Sequence, residues 1–234
     1  MGKVVLIASH KSDIGKTGIC LKTGINLAQS GKKVLLADFS SGKKKMSEYL
    51  NVNEDIIYDI KDVLENTCSL NQAVIEVNDK LSLLPCPRIS DKLSDIKINA
   101  FAGLLNEAKN EYDIIIADAD KVFSSYIDFN IVDCVVTVNN NDFSCIKEIN
   151  FDKNVVQKYN VENIFAVLNK YNRKNAKNGI MMNSKDIKKM TEINMIAVIE
   201  ENIKYTNIDY DFLFSKEENS FNKATAAIAN QIIN

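Results

Sequence analysis

The chain has 234 residues, 46% of them hydrophobic and 26% charged, with a formal net charge of −2. That length and composition suit one globular core spanning 1–234, and the near-zero charge excludes a global field drawing the chain to nucleic acid or anionic membranes. No apolar run approaches the ~18 residues of a membrane span and no basic-then-apolar leader opens the chain, so the expected location is the cytoplasm. Five cysteines, Cys20, Cys68, Cys86, Cys134 and Cys145, are scattered and form no Cys-x-x-Cys pair. They read as free thiols rather than a disulfide framework or a zinc site.

The chain opens on Val4-Val5-Leu6-Ile7-Ala8, an apolar run without alternation, as expected of a central parallel strand covered on both faces. A polar loop follows from His10 to Gly15, then Lys16-Thr17 leads into a helical pattern with Ile19, Thr23 and Leu27 on one side. Strand, loop ending in Gly-Lys-Thr, then helix is the layout of a phosphate-binding loop. Backbone N–H groups and the helix N-terminus face an anion, the lysine neutralises phosphate charge and the threonine hydroxyl reaches Mg²⁺. The general pattern asks for glycine where this chain has His10. A variant pattern, Lys-Gly-Gly-x-Gly-Lys-Thr, matches Lys11-Ser12-Asp13-Ile14-Gly15-Lys16-Thr17, with Ser12-Asp13 in place of the glycine pair.

On this loop the chain resembles the MinD/ParA family of deviant Walker-A ATPases. The resemblance implies ATP and Mg²⁺ as cofactors, a homodimer as the working form, and Lys11 reaching across that dimer to the partner's phosphates. Carried onto this sequence, Lys11, Ser12, Asp13, Ile14, Gly15, Lys16, Thr17 and Gly18 would bind nucleotide, with Lys11, Lys16 and Asp38 as catalytic residues. Thr17, Asp38 and Asp118 would serve the metal.

Gly31-Lys32-Lys33 predicts a helix stop, and Val34 to Asp38 a second buried strand ending in a carboxylate. Such a residue lies at the carboxyl edge of an α/β sheet, where ligands bind. The family's second element is Asp-x-Asp; here Asp38-Phe39-Ser40 keeps the first carboxylate only. Residues 43–66 predict short helices over one sheet face, with Lys43-Lys44-Lys45 as a solvated turn. Val74-Ile75-Val77 and Leu81-Leu83-Leu84, broken by Asn78-Asp79, predict a hairpin-like edge leading to Pro85-Cys86-Pro87. Ser94 to Lys109 predicts an amphipathic helix carrying Ile98, Phe101, Ala102 and Leu105.

Tyr112 to Asp118 predicts another buried strand ending in a carboxylate, the setting of a Walker-B Asp. The family continues Asp-Thr-Pro; here Asp118-Ala119-Asp120 follows, so the loop that senses the γ-phosphate in relatives is altered. Ile131 to Val138 is a strand, followed by the Asn139-Asn140-Asn141 turn and a helix to about Tyr159. Ile164 to Lys170 is a strand at whose end Asn169 stands where relatives meet the adenine base. The basic run Lys170 to Lys177 is read as a solvated loop rather than a DNA contact. Met195 to Ile199 is the last strand, with Glu200-Glu201 replacing the Pro-x-Asp that in relatives closes over the base. Phe221 to Ile233 is a closing helix without the basic amphipathic character of the MinD membrane anchor.

Alternating strands and helices predict an α/β fold, a doubly wound, mainly parallel Rossmann-like sheet of the P-loop NTPase type with helices on both faces. Asp13 bears on function, because a carboxylate about 5 Å from one phosphate charge costs about 3 kcal/mol at an effective dielectric near 20. The missing carboxylate at Ser40 removes a holder for attacking water, so turnover is expected to be slow or absent. Two readings follow: an ATP-dependent dimeric switch that positions or assembles a cellular machine, and a non-hydrolysing scaffold similar to TadZ-type proteins that acts through a protein partner. A third, metal-cofactor maturation, finds no support in the cysteine spacing.

Overall fold

The computed structural model describes residues 1–87, 98–124 and 126–234. Eight strands form one sheet in the order β3-β4-β2-β5-β1-β6-β7-β8. They are β1 Lys3–Ala8, β2 Val34–Phe39, β3 Ile75–Asn78, β4 Leu81–Leu84, β5 Ile114–Ala119, β6 Cys134–Asn139, β7 Asn163–Tyr171 and β8 Asn194–Glu200. All neighbours pair in parallel except β3 and β4, which form the antiparallel hairpin at one edge.

The central strands lack polar alternation because both faces are covered. In β1, Val5 and Ile7 face a core shared with Ile19, Leu21 and Ile25 of α1 (Lys16–Gln29) and with Phe221 and Ile228 of α10 (Ser220–Ile233). Val4, Leu6 and Ala8 face the opposite core, with Phe101, Leu104 and Leu105 of α5 (Ile98–Glu111) and Phe129. The same alternation of faces runs through Ile114/Ile116 against Ile115/Ala117 in β5, the signature of a doubly wound sheet. A third cluster packs Cys145 and Ile149 of α6 (Cys145–Lys158) and Ile187 of α8 (Ser184–Thr191) on Ala166 and Leu168 of β7.

Several expectations change in detail. The helix predicted from Ser94 is observed from Ile98, and 94–97 lie outside the described residues. Residues 43–66 hold α2 (Met46–Tyr49) and α3 (Ile60–Leu64), and α4 (Leu70–Ala73) precedes the hairpin. Strand β7 runs on to Tyr171, so Asn169 lies within it, and Lys170 takes a left-handed φ of 51° where the β7–β8 register shifts. The basic run is therefore not simply a solvated loop. Its first residues finish β7, and Arg173–Lys177 form α7, capped by the Asn172 side chain accepting from Asn175 N. The short helices α7, α8 and α9 (Tyr210–Phe214) carry too few turns to show a period in sequence.

All five cysteines are free, four of them buried. Among the described residues no helix is long and apolar enough to cross a membrane. The closing helix α10 instead buries Phe221, Ala224, Ile228, Ala229 and Ile232 in the core.

Candidate nucleotide site

The carboxyl ends of β1, β2, β5 and β7 converge on a cleft of about 780 Å³. Its wall includes Ser9 to Gly18, Ser40 to Lys44, Tyr49, Asp120, Lys121 and Lys170. Strand direction dictates this position, since loops leaving parallel strands gather at one edge, and β1 lies where the sheet order reverses.

The loop's shape follows from how its carbonyls are held. Asn169 Nδ2 donates to Ile14 O at 2.7 Å, and Lys170 Nζ donates to Asp13 O. Two successive carbonyls are thus occupied by side chains of β7, which holds the shape of the loop. Asp13 takes a φ of 54°, the left-handed conformation that a glycine adopts freely and other residues adopt at a cost. Its side chain is exposed. Gly15 has a φ of 82°, and a Cβ there would lie 2.6 Å from Asn169 Nδ2, so glycine is required on both counts. No side chain caps α1 at Gly15, which leaves the first-turn N–H groups to an anion.

Below the loop, Lys16 Nζ donates to Asp118 Oδ1 and Thr17 Oγ1 donates to Asp118 Oδ2 at 2.8 Å. Asp118 is fully buried. Burial alone would pull Lys16 down, but the charge of Asp118, with smaller help from Cys20 and Asp120, pushes it up to about 12. Lys16 is therefore an ammonium at neutral pH. Asp118 itself is raised by burial, opposed by Lys16 and then raised again by Asp38.

Asp38, the register partner of Asp118 in the β2–β5 ladder, is buried as well. Its carboxylate accepts from Ser40 N at 3.0 Å, Ser40 Oγ at 2.6 Å and Met46 N at 3.0 Å. It is engaged by its own loop and by the first turn of α2. Asp120 accepts from Ser41 N at 3.1 and 3.2 Å, which ties the segment after β5 to the one after β2.

Lys11 lies within its own chain's reach. Its Nζ donates to Asp142, to Asn140 Oδ1 at 2.9 Å and to Ser144 Oγ at 2.9 Å, with Glu148 at 3.5 Å. Glu200 pairs with Arg173 and Glu201 accepts from Asn172, so neither contributes to the far wall of the cleft. Tyr205, Thr206 and Ile208 form it instead. Ile208 reaches over α1 so closely that a Cβ on Gly18 would meet its Cδ1 at 2.8 Å. That segment is anchored by Lys22, a lysine 2% exposed whose Nζ donates to Leu213 O at 2.6 Å and Ser215 O at 2.7 Å.

The chain matches the CobQ/CobB/MinD/ParA nucleotide binding domain over residues 5–211. It belongs to that family. It is 27% identical over 218 residues to the septum site-determining protein MinD of Bacillus subtilis, covering 88% of this chain and 80% of that protein. Its fold superposes with a TM-score of 0.85 on a chain of the MinC:MinD cell division protein complex of Aquifex aeolicus, at 26% identity, covering 99% and 96% of the two chains. The Pyrococcus horikoshii septum site-determining protein MinD, complexed with Mg-ADP, superposes with a TM-score of 0.83 at 20% identity, covering 99% and 96%. The expected doubly wound P-loop fold is the fold observed, and its phosphate-loop layout is that of the MinD/ParA family.

The donor set fits a magnesium polyphosphate. An uncapped helix start, one buried ammonium and one hydroxyl suit the phosphates. Thr17 and Asp118 offer hard oxygens to a cation that usually keeps several waters and binds through phosphates rather than an all-protein cage. Among the described residues no group of three or more His, Cys, Asp or Glu gathers as a metal cage.

Sequence reasoning missed Lys170, the Lys11 clamp, Lys22 and the His10–Asp152 pair. Lys22 had a signal, because it stands three residues from both Ile19 and Ile25 on the buried stripe of α1. The Lys11 clamp had none, since its partners lie far off in sequence.

Proposed function

We propose that this chain is an ATP-binding switch of the MinD/ParA kind, which binds ATP·Mg²⁺ at the β1 loop, forms a homodimer in that state and turns ATP over slowly or not at all. The observation that carries this reading is the convergence of Lys16 and Thr17 on Asp118 beneath a loop whose carbonyls are held back by Asn169 and Lys170. Bound nucleotide would take Lys16 from Asp118 for its phosphates, free the carboxylate toward a metal-bound water, and leave Thr17 to ligate the metal. Lys11 would have to leave Asp142 to reach a partner's phosphates, which makes its clamp the resting contact that dimerisation replaces. The test is mass by light scattering with and without ATP·Mg²⁺. A doubling of mass with ATP·Mg²⁺, absent in Lys11→Ala, supports the switch, and a mass indifferent to nucleotide contradicts it.

A second reading, a non-hydrolysing scaffold acting through a protein partner, is favoured by Asp38. Its carboxylate is engaged by Ser40 and α2, and Ser40 supplies no charge to hold an attacking water. The two readings share the binding site and differ in whether phosphate is released. The identity of the partner is left to the test of what the dimer recruits.

A further inference from the structure

His10 is the chain's one histidine, and it stands at the first position of the loop, where the general phosphate-loop pattern has glycine. Its ring is turned into the protein. Nε2 lies 2.7 Å from Asp152 Oδ1 of α6, and the other carboxylate oxygen accepts from Thr137 Oγ1 of β6 at 2.6 Å. Thr137 Oγ1 in turn accepts from Asn139 Nδ2 at 3.0 Å, and Asn139 Oδ1 is buried without a hydrogen-bond partner among the described residues. The exposed ring of Phe151 packs edge-on against the imidazole at 5.6 Å. Asp152 is fully buried, whereas the His10 side chain is 21% exposed and lines the cleft.

A buried carboxylate without a cation is costly, and no lysine or arginine pairs with Asp152 among the described residues; the His10 imidazole is the basic group that meets it, an ion pair when the ring is protonated. The pair joins the loop to a helix 142 residues away in sequence. The loop is thus held at two places. His10 fixes its entry to the α6–β6 side, while Asn169 and Lys170 fix Asp13 and Ile14 to β7. Charges facing His10 are Asp152 and Glu148 from α6 and Lys121 from the segment after β5. On its own loop, Lys11 is neutralised by Asp142.

We propose that His10 is a positioning residue of the phosphate site: held by Asp152, its protonated ring fixes the entry of the loop and adds positive charge at the mouth of the cleft, so that polyphosphate affinity follows its protonation. This rests on the reading above that the loop takes a nucleotide polyphosphate. The hydrogen bond to Asp152 raises the imidazole above its ordinary value, burial opposes this, and the charges of Asp152 and Glu148 raise it further against Lys121. The cation therefore persists to higher pH than that of a free imidazole. An anion bound nearby favours the protonated form, so affinity is highest below the raised value and falls as pH rises through it.

The experiment is calorimetric titration of Mg-ADP and Mg-ATP from about pH 6 to about pH 8.5, across the imidazole range, into the wild-type chain, His10→Gln and Asp152→Asn. Comparing proteins at each pH cancels the nucleotide's own titration. Wild-type affinity should fall by roughly three- to tenfold more than that of His10→Gln, the linkage expected of up to about one unit in one pKa. Asp152→Asn keeps the ring but loses its anchor, so its fall should come at lower pH. The single imidazole can also be followed by proton NMR, and nucleotide should raise its midpoint. Parallel pH profiles in the three proteins, or an imidazole midpoint unmoved by bound nucleotide, would overturn the inference while leaving the binding site standing. Absence of heat from the wild-type chain at every pH would overturn the nucleotide reading and this inference with it.

Discussion

Asp38 and Asp118 end neighbouring strands, face each other in register and are equally buried, yet they serve different masters. Asp118 faces Lys16 and Thr17, both from the start of α1, so its partners are the groups a polyphosphate and its metal would claim. Asp38 faces Ser40 and the first N–H of α2, so its partners are structural. Burial and strand position are the same in both; the loop that follows decides the partners. Where the family pattern would place a second carboxylate, Ser40 turns its hydroxyl back onto the first.

The largest expected effect comes from breaking the Asp118 side. Lys16→Ala should abolish nucleotide binding and, by leaving a buried carboxylate without its cation, cost about 3–5 kcal/mol of stability. Urea unfolding reads the second effect independently of the first. Asp38→Ala should do the reverse. It should cost about 2–3 kcal/mol through loss of its hydrogen bonds and the α2 cap, while nucleotide affinity changes little. An Asp38→Ala protein that folds as stably as wild type but no longer binds nucleotide would erase the distinction between the two aspartates.

Much of the fold is legible in sequence because β1, β2, β5 and β6 are largely apolar runs of strand length bounded by turn residues. The loop from Lys11 to Thr17 is legible because glycine, lysine and threonine have fixed jobs at a strand-to-helix junction. What escaped reading depends on long-range pairing. Lys170 looks like one more residue of a basic run until β7 is seen to bend at it and aim its ammonium at Asp13 O. Lys11 looks free for another subunit until Asp142 and Glu148 are brought beside it by α6. The resemblance implies a base contact for Asn169, and the hydrogen bond of its amide to Ile14 O is one that no sequence pattern shows. Glu200 and Glu201, which stand in place of the family's Pro-x-Asp, are drawn to Arg173 and Asn172, while Tyr205, Thr206 and Ile208 line the cleft.

A smaller effect sharpens the comparison on the loop itself. Asp13 is exposed, so solvent screening reduces the about 3 kcal/mol Coulomb penalty to about 1 kcal/mol. Asp13→Gly, which also relieves the left-handed backbone, should tighten Mg-nucleotide binding roughly fivefold, measured by calorimetry. The smallest effect concerns His10 and the apo protein. A histidine raised in the folded state contributes stability that is fully present below its unfolded value of about 6.5 and is lost as pH rises through the folded value. Thermal melting should therefore show a modest decline across that window in the wild-type chain and a flatter profile in His10→Gln.

The most direct measurement is calorimetric titration of ATP into the purified chain with and without Mg²⁺, beside Lys16→Ala checked for folding. Mg²⁺-dependent binding in the micromolar range that Lys16→Ala loses and Asp38→Ala keeps is the result expected of a site built on Lys16, Thr17 and Asp118. No heat from the wild-type chain at millimolar ATP would contradict it, and would mean that Ser12-Asp13 has closed the loop to phosphate.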